Sequence, residues 1–157
     1  MNAAHLHLLL NHFPIVGVLF AGALLVWGLV KKEQLLLTVA KVTTIAVAIA
    51  TVATYLTGEP AEEVVEHMAG FNKDLLHAHE AAALFALIFG IAAGVVALVT
   101  LFKGKQKRWP HFVLGLQLLH LFAVMAQVGN LGGQIQHAEL RDTAAAAAAA
   151  TLNSPEH

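Results

Sequence analysis

The chain has 157 residues, 58% of them hydrophobic and 12% charged, with a formal net charge of −1. The charged share is about half that of soluble domains, and with no basic helix or aromatic-basic patch the sequence argues against nucleic acid as a partner. There is no cysteine, which excludes disulfides, thiolate metal sites, iron–sulfur clusters and covalently attached haem c.

Four stretches, residues 13–30, 42–58, 81–102 and 112–136, contain no Asp, Glu, Lys or Arg. A helix needs roughly 20 apolar residues to cross the ~30 Å hydrocarbon layer. The second stretch reaches that length if its helix begins near Leu35 and Lys41 snorkels to the interface. The expected fold is all-α: a bundle of four transmembrane helices over residues 1–140, followed by an alanine-rich tail over 141–157.

In chain order, Asn11 is a good N-cap for the first helix and would place Pro14 in its first turn, where a missing N–H costs little. No cleavable signal peptide is expected, because the N-terminus lacks a positive n-region and residues 13–30 are long enough to span. Lys31-Lys32-Glu33 reads as a tight turn. The second helix should run to about Thr57, where Gly58-Glu59-Pro60 breaks it. Residues 60–76 form the one sizeable loop, with helical spacing over 61–68 that would place Val64, Val65 and Met68 on one side of a short interfacial helix. The third helix opens around His77 to Glu80. Trp109 marks an interface and Pro110 starts the fourth helix. The run of alanines from 144 to 150 has no amphipathic face to anchor it.

Lys31, Lys32 and Lys41 flank the first connection, and Lys103, Lys105, Lys107 and Arg108 crowd the third. By the positive-inside rule these connections face the cytoplasm, so both termini and the 60–76 loop lie outside, which in a bacterium is the periplasmic side of the inner (cytoplasmic) membrane.

Ten histidines are present, most of them at the expected outer side. His5, His7, His67, His77, His111 and His157 read as headgroup-level or backbone-bonded histidines. His12, His79, His120 and His137 stand out by face and depth, because an imidazole within a membrane needs a partner or a polar cavity. From His79, steps of three and four give Ala82, Ala83, Ala86, Gly90, Ala93, Gly94 and Ala97, a stripe of small residues. Such a stripe suits close helix packing and equally leaves a slot for a flat macrocycle. The opposite side, with Leu84, Ile88, Ile91 and Val95, suits lipid. His77 points about 160° from His79 at helical spacing. The fourth helix carries His120, Gln127 and Gln134 on one face, Asn130, Gly133 and His137 on an adjacent one, and Gln117 at the flank. Such a series should face protein or a cofactor rather than lipid. Lys41, Thr44, Ala48, Thr51 and Tyr55 of the second helix would line the same interior.

His12 and His79, joined by His137, thus approach one depth from three helices, the arrangement in which four-helix bundles hold haem b between imidazoles. Lys73, Arg141 and Asn130 would meet the propionates, and His120 would serve a second haem or a proton or quinone site.

These residues resemble a bacterial family of uncharacterised four-helix integral membrane domains. His7-Leu8-Leu9-Leu10-Asn11-His12-Phe13-Pro14 is similar to its His-Pro-x-x-x-His-Phe-Pro opening, and His79 matches a histidine at the start of its third helix. Gly129-Asn130-Leu131-Gly132-Gly133-Gln134-Ile135-Gln136-His137 is similar to its closing Gly-His-x-Gly-Gly-x-x-x-His signature, with Leu8 and Asn130 as departures. Some members are fused to c-type cytochrome modules, so the resemblance implies an electron-transfer setting. The function expected is a b-type cytochrome subunit working near the periplasmic face with a redox partner subunit or periplasmic cytochrome, and with quinone as a candidate partner, rather than a stand-alone enzyme. Two readings compete with it. Outer histidines with Glu59, Glu62, Glu63, Glu66 and Glu80 would suit divalent-metal binding or transport, and a bare scaffold would make the chain a structural or assembly subunit.

Overall fold

A computed structural model describes residues 2–67, 71–102, 109–137 and 141. The elements are α1 (Ala3–Lys31), α2 (Gln34–Leu56), α3 (Gly58–Val65), α4 (Lys73–Phe102) and α5 (Trp109–Gln136), with no strand among the described residues. Four spans, with α2 and α3 counted together, are long and apolar enough to cross a membrane. The chain is an all-α, multi-pass membrane four-helix bundle. The basic segment 103–108, Met68 and the alanine-rich tail lie outside the described residues.

The long helices form a ring: α1 packs on α2, α2 on α4, α4 on α5, and α5 returns to α1. Val18, Ala21, Leu25, Leu37, Val47, Leu114, Leu118 and Leu121 fill the centre with small residues of α4. Most of the small stripe works in packing. A Cβ on Gly94 would lie 2.6 Å from the Cβ of Ala48, and one on Gly90 would lie 3.2 Å from Thr51. Those glycines let α4 press against α2, gaining van der Waals contact where no hydrophobic effect drives helices together. The far side of α4 exposes Leu84, Ile88, Ile91 and Val95.

Three expected boundaries shift. α1 begins at Ala3 rather than near Asn11, because Asn2 caps it by accepting the His5 N–H at 2.9 Å. Pro14 therefore sits three turns inside, where it cannot donate to the carbonyl of Leu10. The Thr54 hydroxyl donates to that carbonyl instead, at 3.3 Å, the kind of rescue that lets proline persist in membrane helices. Gly58-Glu59-Pro60 does not open a loop; it is the first turn of α3, whose N–H groups need no intrahelical partner. α4 starts at Lys73, a turn earlier than expected, since the Asn72 side chain accepts the Leu75 N–H at 3.0 Å.

The turn at Lys32 behaves as read. Lys32 adopts φ 55° and donates its N–H to the carbonyl of Gly28, and the Glu33 side chain caps α2. Lys41 reaches along the bundle toward the end of α4. It is buried, and its ammonium donates to the Thr100 carbonyl at 3.5 Å. That carbonyl lies in the last described turn of α4, near the end where the helix dipole favours a cation.

Candidate functional site

At the end of the bundle where α1 begins and α5 finishes, the helices part around a cavity of about 660 Å³. That volume falls within the roughly 300–1,000 Å³ of small-molecule and cofactor sites. All five helices line it, and four histidines do so: His7, His12, His79 and His137.

His79 is half-buried on α4, with Nδ1 3.1 Å from the Val128 carbonyl. A carbonyl only accepts, so Nδ1 carries the proton and Nε2 holds the lone pair. Gly132, one turn beyond Val128, makes room for the ring: a Cβ there would lie 3.3 Å from Cε1 of His79. Any side chain on Gly132 would press on the imidazole.

His7 is the second ring with a fixed orientation. Half-buried on α1, it places Nδ1 3.0 Å from the Thr57 hydroxyl, which donates its own proton to the Thr54 carbonyl at 2.8 Å. With that proton donated to the Thr54 carbonyl, Thr57 accepts from His7 Nδ1 and Nε2 is the lone-pair atom. Charges on His7 and His79 would feel each other directly. The two helices thus set two neutral imidazoles in one cavity, each held through Nδ1 by an oxygen. This is the second-shell bond that orients histidine ligands of metals and haem iron.

His12 also lines the cavity, but it is exposed and its Nδ1 donates at 2.7 Å to Leu8 of its own helix. His137 is exposed at the rim, at the end of α5. The expected trio of His12, His79 and His137 does share one cavity, and His7, read from the sequence as a headgroup histidine, joins it more deeply than His12 does. With α1 drawn as starting at Asn11, His7 fell outside any helix. Asn2, three residues before His5, is the capping signal that extends the helix.

Carboxylates complete the lining: Glu59 and Glu62 from α3, and Glu80 from α4. The side chains of Glu62 and Glu80 are neighbours, with His77 and Lys73 near Glu62.

The other four candidates do not reach the cavity. His120, Gln127 and Asn130 are exposed on the outer face of α5, and Gln134 is half-buried there. None of the four is among the lining residues. His120 donates to the Leu116 carbonyl at 2.8 Å and stacks on Phe89, ring centres 6.0 Å apart and planes inclined by 17°. The reason is competition for the inward side. Leu114, Leu118, Leu121 and Met125 fill it, and the polar series lies on the reverse. The hydroxyls of Thr44 and Thr51 are also spent, donating to Ala40 and Val47 in their own helix, while Tyr55 reaches the cavity lining.

Among the described residues, no three His, Cys, Asp or Glu side chains converge as a ready metal-ligand group. No family model, no curated protein and no solved structure matches the chain. Its class, a multi-pass four-helix bundle with a histidine-lined cavity at one end, rests on its own residues.

Proposed function

We propose that this protein is a membrane-embedded b-type cytochrome subunit, with haem b held in the end cavity between His79 of α4 and His7 of α1. The observation that carries this reading is the pair of Nδ1-anchored imidazoles from separate helices in one cavity. The donor set fits the group: neutral imidazoles are the axial ligands of electron-transfer haem, and Ala83, Ala86, Gly129 and Gly132 keep part of the lining small. Bound haem would supply one-electron transfer; the chain supplies ligand orientation, burial and the polar groups that tune it. Val128 and Thr57 fix the rings, and His12 and His137 supply further imidazoles at the rim.

The lysine distribution supports this end lying on the periplasmic side of a bacterial inner membrane, within reach of a periplasmic cytochrome or of quinone. This reading calls for a partner subunit carrying the substrate or acceptor site. The resemblance to the four-helix domain family, some of whose members are fused to cytochrome modules, points the same way.

The test is the visible spectrum of protein purified from haem-replete cells. Oxidised and dithionite-reduced samples should show a Soret band and sharp α and β bands of b type. A colourless preparation overturns the reading. A second reading, divalent-cation binding, draws on the carboxylates Glu59, Glu62 and Glu80 in the same cavity. It predicts a colourless protein with stoichiometric Zn²⁺, Ni²⁺ or Cu²⁺ by elemental analysis.

A further inference from the structure

The outer faces of the four long helices differ in one respect. On α1 the exposed positions within the span include Phe13, Val16, Leu19, Phe20 and Val26, on α2 Val42, Ile49 and Leu56, and on α4 Leu84, Phe85, Ile88 and Val95. These suit lipid. α5 exposes Phe112 and Leu119 as well, but further along it exposes His120, Ala123, Gln127 and Asn130, with Gln134 half-buried beyond them. Read from Leu116, which is also exposed, the steps along this face alternate four and three residues as far as Gln134. At about 100° per residue the six positions form a stripe about 80° wide. Leu114, Leu118, Leu121 and Met125 lie on the opposite side and are buried against the bundle.

An alternating four-three pattern averages 3.5 residues, the repeat of a seam between two parallel helices that coil left-handed about each other. α5 satisfies its inward seam within the chain, and the outward seam has no counterpart on α1, α2 or α4 of the same chain. Left to lipid, the amides of Gln127 and Asn130 would sit about 7–12 Å from the midpoint of the span without a partner, in a medium that offers none.

We infer that this seam is the contact with a second copy of the chain, α5 against α5, about a two-fold axis along the membrane normal. Three features select a copy over a different partner. Copies in one membrane insert with the same orientation, so symmetric pairing of α5 is parallel, which the repeat accommodates. A two-fold axis places each side chain opposite itself, and an amide, being both donor and acceptor, is complementary to itself in a way that a carboxylate or ammonium is not. Ala123, one step from Gln127, has no bulk to hold the two backbones apart. Such interhelical amide bonds are a known glue of membrane helices. The dimer places the end cavities of both copies on the same side of the membrane.

The absence of native cysteine makes the test clean. In membranes holding the full chain, Ala123→Cys should give a disulfide-linked dimer under lipid-permeant oxidation, because a disulfide needs Cβ atoms within about 4.5 Å. Ile49→Cys, at an exposed position of α2, should give background only. The Gln127→Leu, Asn130→Leu double variant should weaken the dimer in detergent by about tenfold or more while keeping the helical content of the parent. Since both positions are exposed, the monomer's fold does not depend on them. Equal cross-linking of Ala123→Cys and Ile49→Cys overturns the inference. So does a native mass of one chain at all concentrations, or of one chain bound to a different protein.

Discussion

Gly28 and Gly132 lie toward opposite ends of the same bundle, and what faces them differs. A Cβ on Gly28 would meet the side chain of Leu37 at 2.8 Å, and one on Gly94 would meet Ala48 at 2.6 Å. At the other end, a Cβ on Gly129 would lie 3.8 Å from Ile15, and one on Gly132 would touch an imidazole edge rather than a packed aliphatic. The glycines of the packed end draw helix backbones together; those of the open end keep a cavity clear. The same residue type thus serves stability at one end and a site at the other. Only the identity of the neighbour tells which.

Substitutions separate the two roles. The largest effect belongs to the packed end: Gly94→Val should lower stability by about 3 kcal/mol, the upper range for overpacking, seen as a lower midpoint for loss of helical circular dichroism in detergent. Next comes the bond that joins α2 to α1 beside the cavity. Thr54→Val should cost about 1–2 kcal/mol by leaving the Leu10 carbonyl without its donor. Most of that cost should vanish in Thr54→Val with Pro14→Ala, where residue 14 regains an N–H for that carbonyl; additive effects would break the assignment. At the open end, Gly132→Ala should change stability by under about 1 kcal/mol yet reduce haem content severalfold by crowding His79. Gly129→Ala should do least, within about 0.5 kcal/mol of the parent and with haem content unchanged.

This contrast also marks how far the residues could be read without coordinates. The four spans, the turn at Lys32 and the lipid-facing side of α4 follow from hydropathy and period, which local physics fixes. The small stripe was visible as well, but its assignment to packing against α2 needed Ala48 and Thr51 to be placed. His79 could be read because small residues continue its face for about five turns. His7 could not, since its place depends on Asn2 capping a helix that the sequence pattern begins at Asn11, and on Thr57 arriving from another helix. The polar stripe of α5 was legible as a stripe, but its direction was not. Polarity argued for the interior, whereas Leu114, Leu118, Leu121 and Met125 take that side.

The central claim is that His79 and His7 share one ligand. It is tested most directly by the haem-to-protein ratio of purified His79→Ala, His7→Ala, His12→Ala and His120→Ala proteins, each checked for parental helical content. The account predicts that His79→Ala and His7→Ala lose most of their haem, that His12→Ala loses less, and that His120→Ala, altered on the outer face, keeps it. Full haem in His79→Ala, or equal loss across all four, would contradict it.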